Sequence, residues 1–382
     1  MKNRIVSLIS ALIFILLFSV PSYAQISVSA ESAVLMCMEN GEVLYSKNAD
    51  KQMSMASTTK IMTSLIALEA GIPNKEITVT KEMISVEGTS MGLLAGDSVS
   101  VKELIYGMLL QSGNDAAHAT ACIISGSEEE FAKQMNKRAS EIGMKNTSFE
   151  TASGLDGENH YSTAYDMALL ACECIKNPDF ASICSKKTSR LTYGNPPYQR
   201  TLTNHNRLLW SYEGCIGIKT GFTKKSGRCL VSAARRNGIT LVAVTLNAPN
   251  DWNDHISMFD YGFDKCKSFE LNCDLADVKL SVCGGKQNSV EVRQAYSLTF
   301  PADGNGYSYK IFMRRFEYAP VSEGEIIGNI KYYSNGRIIA EIPLEAANSV
   351  ERESLVKEPV KQEKGIITVL LDKILKLFSF QR

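Results

Sequence analysis

The chain has 382 residues, and its 41 Lys and Arg residues balance its 41 Asp and Glu residues. A neutral chain without a clustered basic face does not fit a nucleic-acid-binding protein. Hydrophobic residues make up 45% of the sequence, which is ordinary for a globular protein, and the length suits two domains.

The N-terminus has the pattern of a secretory signal peptide. Lys2 and Arg4 precede an apolar run over residues 5–20, and the small residues of Ser22-Tyr23-Ala24 suit a cleavage site. We therefore predict a signal peptide over residues 1–24, with an uncleaved anchor as the alternative. In both cases the body of the chain lies outside the cytoplasm.

Strand and helix patterns alternate over residues 31–268, where we predict a domain of the α+β class. A long helical section is interrupted by glycines at positions 71, 96, 113 and 143. Two pairs of apolar strands carry hairpin signals: 33–38 with 42–46 around Glu39-Asn40-Gly41, and 228–234 with 239–247 around Asn237-Gly238.

The pattern changes after this region. Short alternating segments separated by Gly and Asn turns predict a small β-rich domain, a sandwich or a barrel, over residues 273–346. Residues 347–365 are charged and are predicted to form a linker. Residues 366–380 have apolar residues at helical spacing, in a stretch too short to cross a bilayer. We expect an amphipathic helix that lies on the membrane surface, although a helix docked on its own protein would share this pattern.

The cysteines and histidines give no sign of a metal site or of a Ser-His-Asp triad. The ten cysteines include no CxxC pair, and we expect most of them to be unpaired buried thiols. None of the four histidines accompanies a G-x-S-x-G signature. His205 is expected to pack or to form hydrogen bonds, and no metal or organic cofactor is predicted.

Ser57 and Lys60 form a Ser-x-x-Lys motif at the start of a predicted helix. Residues three apart on a helix share one face, so the two side chains can meet. A serine hydroxyl needs an adjacent base, and a lysine can serve when burial or a second cation makes its proton easier to lose. The motif is weak evidence alone, because Ser354 and Lys357 repeat it in the predicted linker.

Two further motifs follow in order. Ser112-Gly113-Asn114 could present a hydroxyl and an amide on a loop, although a helix-ending turn would explain it equally well. Lys219-Thr220-Gly221 would place a cation, a hydroxyl and an unobstructed backbone on a strand that lines a cleft, or else it is a solvated strand end. The three motifs in this order are the signature of penicillin-recognising serine enzymes.

Around these motifs the sequence resembles the D-alanyl-D-alanine carboxypeptidases among the low-molecular-mass penicillin-binding proteins. The resemblance covers residues 31–268, and more loosely the β-rich domain and the C-terminal helix, through segments at 56–63, 110–117, 143–147, 153–156, 160–167 and 217–221. It implies a β-lactamase/transpeptidase-like domain, an antiparallel sheet flanked by helices. It also implies an exported enzyme, attached peripherally to the outer face of the cell membrane, that removes the terminal D-alanine from peptidoglycan pentapeptide stems and binds β-lactams covalently.

The resemblance further implies roles for the reacting groups. Ser57 would attack the carbonyl between the last two D-alanines, with Lys60 as general base, and water would then hydrolyse the acyl-enzyme. Ser112 would pass the proton toward the leaving amine. Asn114 would hold the substrate amide.

The third motif would bind the end of the substrate. Lys219 and Thr220, with Gly221 beside them, would hold the terminal carboxylate, and Lys219 would help to keep the catalytic lysine neutral. The oxyanion hole would use the backbone N–H groups of Ser57 and Phe222. No motif places a further carboxylate-binding arginine.

Three alternative functions stay open at this point. A class A β-lactamase needs a Glu-x-x-Leu-Asn motif after the second motif, and Glu150 lies in the right interval but in a different context. An endopeptidase that cuts cross-links could use the same site. A catalytically silent envelope protein that binds muropeptides or β-lactams is disfavoured because every motif residue is present.

Overall fold

The computed structural model describes residues 26–302, 306–334 and 336–354, together with 367, 369–371 and 373–374. The predicted signal peptide lies outside these residues, as do most of the predicted linker and C-terminal helix. The described residues form two compact units. One contains the chain up to Leu271 and Leu298–Gly306, and the other contains Asn272–Ser297 and the chain from Tyr307 onward.

In the described part of the chain, the strands are, in order, β1 (Ser32–Cys37), β2 (Val43–Lys47), β3 (Glu76–Thr78), β4 (Ser98–Ser100), β5 (Thr188–Gly194), β6 (Pro197–Thr203), β7 (Cys215–Thr223), β8 (Gly227–Arg236), β9 (Ile239–Leu246), β10 (Lys267–Glu270), β11 (Lys279–Cys283), β12 (Ser289–Gln294), β13 (Thr299–Ala302), β14 (Ser308–Met313), β15 (Phe316–Tyr318), β16 (Ile326–Ser334) and β17 (Arg337–Ala346). The α-helices are α1 (Lys60–Glu69), α2 (Val101–Gln111), α3 (Asn114–Ser125), α4 (Glu128–Ile142), α5 (Ala164–Lys176), α6 (Pro178–Cys184), α7 (Leu208–Ser211) and α8 (Asp251–Lys265). Short 3-10 helices span Ala56–Thr59 and Glu82–Ile84.

A five-stranded antiparallel sheet in the order β2-β1-β9-β8-β7 is the centre of the first unit. β1 and β9 are buried along their whole length, because helices cover both faces of the sheet. The turn between β8 and β9 has Asn237 and Gly238 at positive φ, 49° and 78°, which is the conformation that an Asn-Gly hairpin requires. Both predicted hairpins are present.

The two faces of the sheet have separate hydrophobic clusters because successive side chains along a strand point in opposite directions. Val34 and Met36 of β1 belong to the cluster shared with α1 to α6. Leu35 and Cys37 belong to the other cluster, which contains Phe259 of α8. This layering confirms the predicted α+β domain, an antiparallel sheet flanked by helices.

The second unit contains a six-stranded sheet in the order β14-β16-β17-β12-β11-β15. Its pairs are antiparallel except β11 with β15. Burial alternates along β12, where Val290 and Val292 are inside and Glu291 is exposed, as in a half-buried strand. The predicted all-β character of this region is confirmed. Within the same stretch of sequence, β13 pairs with β10 in the first unit.

All ten cysteines are free thiols, and Cys283 alone among them is exposed. This agrees with the expectation that most of them are unpaired. Cys37, in the middle of the sheet, packs as a small core residue. A thiol serves as a small apolar side chain in such a position.

His255 joins α8 to the sheet through both ring nitrogens. Ser232 of β8 contacts Nδ1, and Oγ1 of Thr245 on β9 lies 3.0 Å from Nε2. The residue is completely buried, and this burial lowers the pKa of His255 from 6.5 to about 3. The imidazole is therefore neutral in the folded protein.

Acidification should destabilise the fold through His255. Its pKa is depressed in the folded state, so the unfolded chain binds more protons below pH 6.5, and the free energy of unfolding falls as the pH drops, by about 1.4 kcal/mol per pH unit between about pH 6 and 4. We expect His255→Gln to lose this part of the pH dependence. Denaturant unfolding at about pH 7.5, 6 and 5 measures it, and an unchanged slope in the variant would contradict the assignment.

Candidate active site

Ser57 lies in the 3-10 helix Ala56–Thr59 that leads into α1. The preceding residue, Ala56, has a φ of 49°, a costly conformation for a side chain other than glycine. The structure keeps the spacing that the motif predicts, since Lys60 Nζ lies 2.9 Å from Ser57 Oγ. Nucleophile and candidate base are therefore in direct contact.

Lys60 Nζ has two other partners, Asn114 Oδ1 at 2.7 Å and the Ser153 carbonyl oxygen at 2.6 Å. Both of these oxygens can only accept hydrogen bonds. A neutral amine has two hydrogens and one lone pair, so it can donate to both oxygens and accept the hydroxyl hydrogen of Ser57. The three contacts together suit an uncharged lysine poised to take the serine proton.

The electrostatics agree with this geometry. Lys60 is completely buried, and this burial lowers its pKa well below the ordinary value. The charge of Lys219 lowers the pKa of Lys60 further, while the carboxylate of Asp115 acts in the opposite direction. Burial also lowers the pKa of Lys219 itself to about 7.

The second motif lies where α2 meets α3. Ser112 ends α2 in the left-handed conformation, with φ 62° and ψ 29°, and Asn114 is the first residue of α3. Asn114 Nδ2 donates to the Glu87 carbonyl oxygen at 2.7 Å, which turns Oδ1 toward Lys60. Ser112 faces the same cavity as Ser57.

The third motif lies on β7, beside the nucleophile. A Cβ atom on Gly221 would come within 2.9 Å of the Met55 carbonyl oxygen and 3.1 Å of the Ser57 nitrogen. Only a glycine lets the strand come this close to Ser57. Lys219 is buried, and Nζ donates to the Thr220 carbonyl oxygen at 2.8 Å.

A cavity of about 660 Å³ opens at Ser57. Among its lining residues are the predicted Ser57, Ser112, Thr220, Gly221 and Phe222. The other lining residues belong to no motif that predicts a site role, and they are Thr89, Asn204, His205, Arg207, Trp210, Arg228, Asp251 and Trp252.

Comparisons with known proteins show the family of this chain. Residues 19–250 match the peptidase S11 family, D-alanyl-D-alanine carboxypeptidase, and residues 263–352 match the C-terminal domain of penicillin-binding protein 5. The chain belongs to the D-alanyl-D-alanine carboxypeptidase family. It is 34% identical over 348 residues to the D-alanyl-D-alanine carboxypeptidase DacF of Bacillus subtilis, covering 87% of this chain and 89% of the relative.

Solved structures give the same result. Penicillin-binding protein 5 from Haemophilus influenzae matches with a TM-score of 0.61 and 28% identity, over 87% of this chain and all of that one. The Streptomyces K15 DD-transpeptidase matches with a TM-score of 0.61 and 31% identity, over 63% of this chain and 99% of that one. The predicted family, fold class and activity are confirmed: the protein is a serine D-Ala-D-Ala carboxypeptidase, and its family implies peptidoglycan stem peptides as substrate and binding of penicillin.

Arg228 of this carboxypeptidase has no sequence signal of its own. It lies opposite Phe222 in the β7–β8 pair, and that pairing brings it to the cavity. Its guanidinium donates to Asp251 Oδ1 at 2.7 Å and lies 5.6 Å from the ring centroid of Trp252. The position of Arg228 at the cavity is therefore evident only from the register of β7 and β8.

The expectation for His205 was a packing or hydrogen-bonding role. The residue lines the cavity, and burial together with the charge of Lys219 lowers the pKa of His205.

Glu150 has a structural role, since its carboxylate accepts from the backbone and side-chain amides of Asn159. Among the described residues, Glu150 is not part of the cavity wall.

His160 supports the loop that carries Ser153. Nδ1 accepts from the backbone N–H groups of Glu150 and Thr151, so Nε2 carries the ring hydrogen and donates to Thr59 Oγ1 at 2.9 Å. Burial lowers the pKa of His160 to about 4, which keeps the ring neutral. The ring thereby ties the loop to the 3-10 helix of the nucleophile.

The close approach of β7 to Ser57 can be tested by Gly221→Ala. The added methyl group would push the strand away from the Ser57 backbone, and we expect the rate constant of acylation by penicillin to fall by about a hundredfold. Labelling kinetics measure the effect. Denaturant unfolding of the variant is the control, and a folded variant that labels at the normal rate would show that the approach has no role in the reaction.

Proposed function

We propose that this carboxypeptidase removes the terminal D-alanine of pentapeptide stems through an acyl-enzyme on Ser57. The observation that carries the proposal is the contact of 2.9 Å between Ser57 Oγ and Lys60 Nζ in a buried site. Neutral Lys60 takes the hydroxyl proton while Oγ bonds to the carbonyl carbon between the last two D-alanines. The C–N bond then breaks, the leaving amine receives a proton by way of Ser112, and water hydrolyses the ester to restore the serine.

Charge that develops on the substrate oxygen needs preorganised donors. We assign this role to the backbone N–H groups of Ser57 and Phe222. The proposal is supported by the tight contact between Gly221 and the Ser57 nitrogen, which brings the end of β7 beside the nucleophile. We assign to Asn114 the role of holding the substrate amide. Its own side-chain amide is held by Lys60 at Oδ1 and by the Glu87 carbonyl oxygen at Nδ2.

The terminal carboxylate of the substrate needs cationic partners. Lys219 Nζ has one hydrogen-bond partner among the described residues, a carbonyl oxygen, which leaves two N–H donors for a carboxylate. We assign the carboxylate to Lys219 and Thr220, with Gly221 leaving room on the strand. We add the cation Arg228, which lines the cavity together with Thr220 and Gly221. A β-lactam carries a carboxylate near a reactive amide and would acylate Ser57 in the same way.

Sequence patterns near both termini support a proposal for the location of the enzyme. We propose that residues 1–24 direct export, that 31–268 and 273–346 are the catalytic and β-rich domains, and that 347–365 link them to a helix over 366–380 on the outer face of the cell membrane. Exposed apolar side chains in the last segment support attachment: Ile367, Leu370, Leu371 and Ile374. In the part of the chain that the structure describes, no helix is long and apolar enough to cross a membrane.

The assignment of nucleophile and base predicts the behaviour of two variants. The full-length protein should bind labelled penicillin covalently and release D-alanine from diacetyl-Lys-D-Ala-D-Ala, and both activities should be lost in Ser57→Ala and Lys60→Ala. Ser354→Ala, the same change in the second Ser-x-x-Lys and at an exposed position, should leave them unchanged.

The outcomes separate the alternative functions. Labelling without release of D-alanine would favour an endopeptidase or a silent binding protein. Rapid hydrolysis of penicillin would favour a β-lactamase. A folded wild-type protein without labelling would refute the acyl-enzyme on Ser57.

The electrostatic link between the two buried lysines predicts a shift in the pH profile. The charge of Lys219 lowers the pKa of Lys60, so Lys219→Gln should raise that pKa. Because the base must be unprotonated, the acid limb of the acylation rate should move to higher pH, in addition to a lower rate. Lys224→Gln, at an exposed position of the same hairpin, is the control. An acid limb that stays in place in Lys219→Gln would contradict the link.

A further inference from the structure

Residues 87–93, here called the strap, contact Asn114 of the second motif, Ser112-Gly113-Asn114. Asn114 depends on the strap twice: its backbone N–H donates to the Thr89 carbonyl oxygen at 2.6 Å, and its side-chain amide donates to the Glu87 carbonyl oxygen at 2.7 Å. A Cβ atom on Gly88 would come within 2.6 Å of Asn114 Nδ2, so the contact is close. The position of the Asn114 amide is therefore set by the backbone of the strap.

The strap is anchored to α3 on one side by the carboxylate of Asp115. Oδ1 accepts from the Met91 N–H at 2.9 Å. Oδ2 accepts from the Leu93 N–H at 3.1 Å and from Ser90 Oγ at 2.6 Å. This carboxylate follows Asn114 directly in the sequence.

The other side of the strap is held by the hairpin of β5 and β6. Arg200 Nη1 donates to the Gly92 carbonyl oxygen at 2.6 Å, and the Tyr193 hydroxyl donates to the Met91 carbonyl oxygen at 2.9 Å. The guanidinium of Arg200 lies over the rings of both Tyr193 and Tyr198, 4.1 Å from each centroid. Arginine is suited to this position because its planar cation stacks on aromatic faces while it donates.

The burial of Arg200 costs free energy that stabilising the hairpin alone does not explain. Its side chain is only 9% exposed, its contact with Asp97 is 3.6 Å long, and its Nε and Nη2 atoms are buried without a hydrogen-bond partner among the described residues. Buried polar N–H groups without partners cost free energy. A role in positioning the strap would explain why an arginine is buried here.

We propose that Arg200 is a positioning residue that acts through the strap on Asn114, and through Asn114 on Lys60. The chain of contacts is continuous: Arg200 holds the Gly92 carbonyl, the strap holds the Asn114 amide, and Asn114 Oδ1 lies 2.7 Å from Lys60 Nζ. This inference rests on the proposed function, in which Lys60 is the base. Arg200 itself does not line the cavity among the described residues, so it acts at a distance.

Loss of Arg200 should change the base in a definite direction. An acceptor oxygen favours the protonated form of a lysine, so an Asn114 that moves away lowers the pKa of Lys60. The charged groups that face Lys60 are Lys219, Asp115 and the neighbouring His160 when protonated, and the substitution of Arg200 removes none of them. The acid limb of acylation should therefore move to lower pH, opposite to the direction expected for Lys219→Gln.

The test is a double-mutant cycle on the full-length protein with labelled penicillin. Arg200→Ala should reduce the rate constant of acylation by between about tenfold and a hundredfold, and move the acid limb to lower pH. The same change in an Asn114→Ala background should have no further effect, because two residues on one path are not additive. Arg190→Ala, an exposed arginine on β5 of the same hairpin, should leave the rate and the pH profile unchanged.

Additive losses in the double variant would overturn the proposal, as would a slower Arg200→Ala enzyme whose acid limb stays in place. If Arg200→Ala does not fold, Arg200→Lys and Tyr198→Ala are measured in its place. Tyr198 is 53% exposed, and Tyr198→Ala removes one of the two rings that contact the guanidinium of Arg200. Both should show the same shift of the acid limb. A wild-type protein that is not labelled would refute the proposed function instead, and normal labelling by all these variants would refute only the role of Arg200.

Discussion

The site depends on an amine that is kept away from water. Lys60 is completely buried, and its three partners come from the 3-10 helix of Ser57, the start of α3 and the loop of Ser153. Each partner must stay within hydrogen-bonding distance, since a buried amine without partners costs free energy. Two of these partners have a further support. The Glu87 carbonyl holds Asn114, and the loop of Ser153 is held by His160.

Burial lowers the pKa of five basic side chains in the first unit. The hydrogen bonds of four of them form two groups. His160 and His255 have both ring nitrogens engaged by protein partners, so they hold loops and strands together. Lys60 contacts the nucleophile, and Lys219 Nζ has one hydrogen-bond partner among the described residues, which leaves two of its N–H donors unused. His205, the fifth, lines the cavity. A lowered pKa alone therefore does not identify a reacting group, and hydrogen bonds distinguish the two lysines from His160 and His255.

Local patterns in the sequence predicted a large part of this protein. Three-residue spacing was enough to bring Ser57 and Lys60 together, because it acts within one helical turn. The Asn237-Gly238 turn predicted the β8–β9 hairpin, since few residues adopt positive φ. Short alternating segments separated by turn residues predicted the β-rich character of the second unit, and burial alternates along β12. All of these are short-range effects that a few neighbouring residues control.

The rest was decided by tertiary contacts. The carbonyl oxygens of Ser153 and Glu87 position Lys60 and Asn114, and every residue has a carbonyl, so no side chain in the sequence marks these two. Arg228 reaches the cavity through strand register, and Arg200 reaches the strap through the fold of a hairpin. The sequence by itself determined the family, the motifs and the local elements. The tertiary structure alone decided which distant backbone atoms and cations surround them, because those contacts join segments far apart in the chain.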